Sequence, residues 1–202
     1  MDKIDPTSAA LVIQDLQNDA IVAGGAFAGS GAAAHATAQN VVANVKGLAE
    51  VCRRAGVPVI HIWYIVEAGA PGLKQNAPLF QGVKEANALV RGSWGAAPAE
   101  GLEPQAGDHV IEKMRMNAFY ETRLDILLRG LGVETLIITG AWTNMSIEHT
   151  ARHAADAGYR AVVASDGTST MNDDWQRAAL DYAMQNVAAV ASCAEIAAAV
   201  GK

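Results

Sequence analysis

The sequence has few cysteines, few aromatic residues and no cluster of basic residues. Its 202 residues include two cysteines and 5% aromatic residues, and 15 basic against 21 acidic side chains give a net charge of −6. Two cysteines cannot build a disulfide scaffold or a cysteine-based zinc site. Phosphate binding requires clustered lysine and arginine, so neither a nucleic acid nor an anionic membrane is expected as a partner.

Long apolar runs are also missing. No stretch approaches the roughly eighteen uninterrupted apolar residues of a membrane span, and the first residues lack the basic and then apolar pattern of a signal peptide. The sequence therefore predicts a cytoplasmic protein. Because 51% of the residues are apolar and only 18% are charged, intrinsic disorder is excluded, and the length predicts one domain over residues 1–202.

Apolar runs, many of them β-branched, alternate with helical patterns along the chain. Near-continuous apolar strands of this kind are typical of a parallel sheet that is covered on both faces. The runs lie at 9–14, 57–66, 108–112, 135–139, 160–164 and 187–191, and the helical patterns at 37–55, 122–131 and 173–185. The alternation predicts an α/β fold with three layers, α/β/α, and a doubly wound, mainly parallel sheet.

Residues 67–104 interrupt this alternation. The segment contains four prolines and six glycines, and it is too long for an ordinary connection in a compact domain. We interpret it as a lid or an insertion that lines a pocket.

Charged residues follow two of the predicted strands. Ligands bind beyond the carboxyl ends of the strands in open parallel sheets, and Asp15 and Lys113 stand at such ends. The plain interpretation is a solvated strand end or an ion pair. The functional one is a carboxylate base beside an ammonium group, each shifting the pKa of the other.

A third group of candidates follows the fourth apolar run. Thr143 and Asn144 suit the start of a helix, where they could be simple caps. The same placement would aim Ser146 and free backbone N–H groups at an anion, as in an oxyanion hole.

Together these residues carry a resemblance to the isochorismatase-like hydrolase superfamily. It rests on Asp15-Leu-Gln-Asn-Asp, on Lys113-Met-Arg-Met-Asn-Ala-Phe-Tyr-Glu-Thr, on the segment from Ile138 to Arg152 and on the segment from Gly158 to Asp166, in the right order and spacing. The resemblance implies a six-stranded parallel sheet, assembly into dimers or tetramers, and hydrolysis of a small-molecule substrate. Because the histidines are scattered along the chain, we expect neither a metal nor an organic cofactor.

The resemblance also implies roles for individual residues. Asp15 matches the general base of the family and Lys113 its catalytic lysine. The peptide bond between Ala141 and Trp142 is expected to be cis, which would aim the Trp142 N–H, together with that of Ser146, at the developing oxyanion.

Position 146 departs from the family pattern, because the amidohydrolases of the family have cysteine where this chain has Ser146. A serine hydroxyl is far less acidic than a thiol and needs a well-placed base to attack. Three explanations stay open: a natural serine nucleophile, vinyl ether hydrolysis of the isochorismatase type without a covalent step, or replacement of an original cysteine. A catalytically inactive binding protein is a further alternative.

Other residues offer weaker substitutes for a nucleophile or a metal ligand. Cys52 and Cys193 are predicted to be structural. A dyad of Ser146 and His149 is supported only by their spacing, which would place both side chains on one face of a helix. His61 lies within a strand without a neighbouring histidine, so we expect a buried, hydrogen-bonded side chain or a pocket wall rather than a metal site.

The substrate pocket is the least determined feature. We expect the C–N bond of a small amide or ureide to be cleaved. An arginine could pair with a substrate carboxylate or could equally form a surface ion pair. Arg91 and Arg115 are the candidates for that pairing. The expected substrate-binding residues are Gln17, Trp63, Trp94, Arg115, Phe119 and Trp142.

Overall fold

The computed structural model of the protein describes residues 1–200 and contains one six-stranded sheet. All neighbouring strands are parallel, in the order β3-β2-β1-β4-β5-β6. The strands are β1 (Ala9–Gln14), β2 (Val59–Tyr64), β3 (His109–Lys113), β4 (Thr135–Ala141), β5 (Arg160–Ser169) and β6 (Ala189–Ala191). The predicted α/β class and parallel sheet are confirmed.

Eight α-helices connect or flank these strands in the described part of the chain. They are α1 (Asn18–Ile21), α2 (Ala32–Ala38), α3 (Val41–Arg54), α4 (Pro78–Glu85), α5 (Leu124–Gly130), α6 (Glu148–Asp156), α7 (Asp173–Arg177) and α8 (Cys193–Ala199). A π-helical turn, Thr143–Ile147, leads directly into α6, and a second one, Ala178–Ala183, continues α7.

Two helix boundaries differ from the sequence prediction. The single helix predicted over 37–55 is two helices, because Asn40 adopts a left-handed φ of 53° and breaks the chain between α2 and α3. The helix predicted over 173–185 is α-helical only as far as Arg177 and continues in the π-helical turn. Apolar spacing did not reveal either change, since the apolar residues after each break stay buried, as Val41 and Val45 do in α3 and Ala179 and Leu180 do in the π-helical turn.

Each face of the sheet is covered by its own apolar core, which gives the three layers. Leu11 and Ile13 pack on one face with α3 and α8, whereas Val12 packs on the other with α5 and α6. Every residue of β1 is buried, which explains its uninterrupted apolar run. A third cluster lies within residues 64–90 and includes Phe80 and Val83 of α4.

The strand order brings the carboxyl ends of β1, β2, β3 and β4 to one edge. β1 and β4 are neighbours, and the helices that follow them, α3 and α6, lie on opposite faces of the sheet, so a crevice opens between the ends of the two strands. Gly140 allows β4 to approach β1 closely, because a Cβ at this position would lie 2.0 Å from the carbonyl oxygen of Gln14. No helix within residues 1–200 is long and apolar enough to cross a membrane.

A buried polar cluster ties α3 to the start of β3. Asp108 accepts hydrogen bonds from Arg53 Nη2 at 2.6 Å and Nε at 3.1 Å, from His61 Nε2 at 3.1 Å, and from the Gln105 N–H at 2.8 Å. The side chain of Asp108 is only 4% exposed. His61 is therefore a buried, hydrogen-bonded histidine, one of the two interpretations considered from the sequence.

We predict that Asp108→Ala lowers the free energy of unfolding by about 2–3 kcal/mol, since it leaves Arg53 and His61 without their acceptor. Burial raises the pKa of Asp108, but the hydrogen bonds from Arg53, Gln105 and His61 outweigh it and hold the pKa below 3.8. The stabilisation is thus present above pH 3.8 and lost as the pH falls through the native pKa.

Urea denaturation at neutral and acidic pH measures both effects. Asp174→Ala is the matched control, because Asp174 pairs with Arg177 on the surface and should contribute no more than about 0.5 kcal/mol. Equal losses in the two variants would contradict a stabilising role for the buried cluster.

Candidate active site

The centre of the candidate site is a buried ion pair. Lys113 Nζ donates a hydrogen bond to Asp15 Oδ2 at 2.7 Å, and a second to the Arg115 carbonyl oxygen at 2.8 Å. The Lys113 side chain is fully buried and that of Asp15 is 9% exposed. Asp15 follows β1 with a left-handed φ of 55°, which turns the chain out of the strand at a cost of about 1 kcal/mol.

Burial shifts the pKa of both partners toward their neutral forms. It raises the pKa of Asp15 above 3.8, although Lys113 and the nearby Ser146 hydroxyl act in the opposite direction. It lowers the pKa of Lys113 below 10.5, although Asp15 opposes the change. A carboxylate with a raised pKa is a better proton acceptor than an exposed one, as general base catalysis requires.

The second oxygen of Asp15 is free. Oδ1 is buried and has no hydrogen-bond partner among residues 1–200. Because Oδ2 is held by Lys113, the open acceptor of this carboxylate is Oδ1. A buried acceptor without a partner is costly, so it marks a place where a ligand or a reacting group belongs.

Ser146 and Trp142 lie beside this carboxylate. Ser146 belongs to the π-helical turn Thr143–Ile147, which begins directly after Trp142, and the peptide bond between Ala141 and Trp142 is cis. The Trp142 carbonyl accepts from the Met145 and Ile147 N–H groups, whereas the Trp142 N–H has no acceptor in the described chain. This N–H is available to a developing negative charge.

Asp15, Trp142 and Ser146 line one small cavity of about 30 Å³. Its remaining wall is almost entirely apolar and consists of Ala20, Phe27, Tyr64, Leu79, Val83, Leu89 and Ala141. The Trp142 indole is fixed by a hydrogen bond from Nε1 to the Ala20 carbonyl at 3.1 Å. It also meets the Phe27 ring edge-on, with 5.3 Å between the ring centres.

The chain after Asp15 holds the segment that covers the cavity. Gln17 Nε2 donates to the Tyr64 and Ala96 carbonyls, and Gln17 Oε1 accepts from the Tyr64 N–H at 2.8 Å. Asp19 Oδ2 accepts from the Leu89 N–H at 2.7 Å. The amide group of Gln17, a predicted substrate-binding residue, thus makes three hydrogen bonds to the backbone of this segment.

Three predicted substrate-binding aromatics lie away from this cavity. Trp63 shares a sheet face with Glu112, its register partner, and not with Tyr64 and Lys113. Trp94 is 56% exposed. Phe119 is buried in the core on the far side of the sheet and stacks on His153, with 4.5 Å between the ring centres. Of the predicted aromatics, only Trp142 lines the cavity.

Both candidate arginines are already paired. Arg91 binds Glu67 at 2.6 Å and Glu112 at 2.6 and 2.7 Å. Arg115 donates to the Lys74 carbonyl and to Asn76 Oδ1, and its guanidinium lies 4.1 Å from the ring centre of Phe80. Both line a larger cavity of about 470 Å³ that excludes Asp15 and Ser146.

Sequence reasoning missed Tyr64 and the apolar wall. Tyr64 pairs in register with Lys113, so the two side chains share a face, and Lys113 Nζ lies 4.8 Å from the Tyr64 ring centre. The adjacent pair Trp63-Tyr64 offered two aromatics of opposite orientation, and only the register with β3 decides between them. The wall residues Leu79, Val83 and Leu89 carry no chemical signal that could have marked them.

Neither cysteine can replace Ser146. Burial raises the pKa of Cys52 to about 12, and it also raises the pKa of Cys193, so both thiols stay protonated in the core. His149 is exposed and lines other cavities than Ser146 does. Within residues 1–200, no group of three or more His, Cys, Asp or Glu side chains is placed to hold a metal ion.

Comparison with known proteins identifies the relatives of this arrangement. The isochorismatase domain model matches residues 9–195. Ureidoacrylate amidohydrolase RutB of Yersinia enterocolitica is 38% identical over 193 residues, which cover 87% of this chain and 82% of that protein. The protein of the same name from Caulobacter vibrioides is 35% identical, with 88% and 84% covered.

Solved structures agree with these matches. A cysteine hydrolase from Pseudomonas syringae pv. phaseolicola superposes with a TM-score of 0.87 at 25% identity, covering 99% of this chain and 95% of that one. An isochorismatase family protein from Desulfovibrio vulgaris superposes with a TM-score of 0.83 at 27% identity, covering 96% of this chain and 99% of that one.

We predict strong coupling between Asp15 and Lys113 in a double-mutant cycle on stability. Asp15→Asn or Lys113→Met alone should each lower the free energy of unfolding by about 3–5 kcal/mol, because each leaves a buried group unpaired. The double variant should lose much less than the sum of the two. Urea denaturation of the four proteins gives the coupling energy, and additivity within about 0.5 kcal/mol would contradict the pairing.

Proposed function

The chain belongs to the isochorismatase family of hydrolases, and we propose that it cleaves the C–N bond of a small amide or ureide with Asp15, Lys113 and residue 146. Two relatives that share more than a third of their residues with it are named ureidoacrylate amidohydrolases. The observation that carries the proposal is the free, buried Oδ1 of Asp15 in the same cavity as Ser146 and the unpaired Trp142 N–H.

In the proposed reaction, Asp15 Oδ1 takes the proton of the Ser146 hydroxyl while Oγ attacks the amide carbon. The carbonyl oxygen becomes negatively charged and accepts hydrogen bonds from the N–H groups of Trp142 and Ser146. The C–N bond then breaks as the proton on Asp15 passes to the leaving nitrogen. Water hydrolyses the ester on Ser146, with Asp15 again accepting and returning the proton.

Lys113 keeps Asp15 ionised in a place where burial favours the neutral acid. Its ammonium group holds Oδ2 at 2.7 Å and thereby leaves only Oδ1 to face the reacting atoms. We propose that Lys113 therefore sets both the charge and the orientation of the base, without itself taking the proton of residue 146.

Vinyl ether hydrolysis is the second candidate, and the serine at position 146 is the observation that favours it. That reaction uses Asp15 as an acid toward carbon and needs no thiol. It predicts turnover of a vinyl ether without any covalent adduct on the protein, which separates it from amide hydrolysis.

We also propose a role for the segment that covers this site, a cellular location and an oligomeric state. Residues 67–104 act as the pocket lid of a single domain, supported by Leu79, Val83 and Leu89 in the cavity wall. The protein acts in the cytoplasm as a homo-oligomer, and the exposed side chains of Ile126 and Tyr182, at 76% and 78%, are candidates for the contact between copies.

We predict that Asp15→Asn and Lys113→Ala each lower kcat/KM for a cleaved amide by at least about 100-fold, the usual scale of a lost acid–base group. Ser146→Cys should raise kcat/KM, because the Asp15–Lys113 pair forms a thiolate more readily than an alkoxide. Ammonia release from a panel of amides and ureides measures both.

Asp174→Ala is a suitable control, because Asp174 lies outside the cavity and pairs with Arg177 on the surface. Unchanged turnover in Asp15→Asn would contradict the proposal. So would a panel on which neither the Ser146 protein nor Ser146→Cys shows activity.

We predict that kcat/KM falls on the acid side with an apparent pKa above 3.8. Burial raises the pKa of Asp15, so the carboxylate is protonated at a higher pH than an exposed aspartate, and the base is lost there. Because Asp15 and Lys113 titrate as a pair, the apparent pKa is a property of the pair rather than of Asp15 alone. A pH–rate profile with its acid limb at or below 3.8 would contradict the assignment.

A further inference from the structure

We infer that the cavity beside Ser146 selects uncharged amides or ureides with a small apolar substituent and rejects substrates that carry a carboxylate. The inference rests on the proposed function, and it names the substrate class of the same site. The substrate class that it names differs from the one in the names of the relatives at 35% and 38% identity, because ureidoacrylate carries a carboxylate.

The cavity wall offers a carboxylate no counter-charge. Among the described residues that line it, Asp15 is the one ionisable group that carries charge near neutral pH, and it is negative. Leu79, Val83 and Leu89 line it on the lid side. A substrate carboxylate would lose its hydration here and face a second anion, which is unfavourable on both counts.

The nearest lysine is not available to a substrate. The Lys113 side chain is fully buried, and its ammonium group binds Asp15 and the Arg115 carbonyl. A substrate anion that claimed Lys113 would compete directly with the catalytic carboxylate.

The two nearby arginines are committed as well. Arg91 is held by Glu67 and Glu112, and Arg115 by the Lys74 carbonyl and Asn76. Both arginines line the larger cavity rather than the one that contains Ser146. The bidentate arginine clamp that usually recognises a carboxylate is therefore missing from this cavity within residues 1–200.

One polar group in the wall fits an uncharged amide. The Tyr64 hydroxyl is buried and has no hydrogen-bond partner in the described chain. Burial and the nearby Asp15 raise the pKa of Tyr64, so the hydroxyl stays protonated and can donate to a carbonyl oxygen. Gln17 fixes the Tyr64 backbone on both its N–H and its carbonyl side, which keeps this donor in place.

The size of the cavity sets the limit on the substituent. About 30 Å³ accommodates roughly one water molecule or a small alkyl fragment. A larger group enters only if α4, which contributes Leu79 and Val83, moves outward. We therefore expect short alkyl substituents to be preferred over long or branched ones.

Two ureides that differ at one end test the charge selection. Propylurea has a methyl group where 3-ureidopropionate has a carboxylate, and calorimetric titration of Ser146→Ala gives the Kd of each without turnover. We expect propylurea to bind at least about tenfold more tightly, a difference of about 1.4 kcal/mol. Equal affinity, tighter binding of 3-ureidopropionate, or no detectable binding of propylurea would overturn the inference.

The same pair separates this inference from the proposed function. If propylurea binds more tightly but is cleaved by neither the Ser146 protein nor Ser146→Cys, the selection stands and the proposed hydrolysis fails. If 3-ureidopropionate is cleaved with the higher kcat/KM, the proposed hydrolysis stands and the selection fails.

Two variants test the structural cause. Leu79 is half-buried in the wall, so Leu79→Arg should place a cation there and shift the preference toward 3-ureidopropionate by at least about tenfold, while Leu79→Met should not. Tyr64→Phe should weaken propylurea binding about fivefold, the effect of one hydrogen bond. An unchanged preference in Leu79→Arg, or an unchanged propylurea affinity in Tyr64→Phe, would refute the assigned cause.

Discussion

The ion pair between Asp15 and Lys113 joins the ends of two strands that are not neighbours in the sheet. β2 lies between β1 and β3, so the lysine side chain reaches over the end of β2 to meet the carboxylate. This crossing places Tyr64, the last residue of β2, directly against the lysine. Removing two charges from water is costly, and the structure compensates with a 2.7 Å contact and a further carbonyl acceptor for Lys113.

The other parts of the site shield this ion pair from water. The segment beyond β2 covers it, and the residues just after Asp15 hold that cover in place. Gln17 and Asn18 donate hydrogen bonds to backbone carbonyls of the segment, and Asp19 accepts one from the Leu89 N–H. Gly95 lies so close to Asp19 that a Cβ there would lie 2.0 Å from the carboxylate. The short stretch 15–19 thus supplies the proposed base and also holds the segment proposed as a lid, so mutations in it will affect both.

Much of this arrangement could be predicted from the sequence, because parallel strands buried on both faces leave continuous apolar runs, and the charged residues that end them stand out. The six runs located all six strands, and reading the residue after each strand identified Asp15 and Lys113. The strand ends are local in sequence and have a physical reason to be visible there. Position 146 stood out only through the resemblance to the isochorismatase-like hydrolases, which implies cysteine there.

The pocket wall could not be predicted in this way. Whether Trp63 or Tyr64 faces the site depends on the register between β2 and β3, and Phe119 looked equally suited to a pocket until the structure placed it in the core. Arg91 and Arg115 suited a substrate carboxylate and a surface ion pair equally well, and only the three-dimensional fold shows the partners that they bind. Long-range pairing is the information that composition and spacing lack.

The central claim is that the Asp15–Lys113 pair activates residue 146 for covalent attack on a C–N bond. Intact-protein mass spectrometry of Ser146→Cys during turnover of a cleaved amide tests it most directly, with Ser146→Cys/Asp15→Asn as the comparison. The account predicts an added mass equal to the acyl group in the first protein and none in the second. Turnover without any adduct in Ser146→Cys, or equal adduct formation in both proteins, would contradict it.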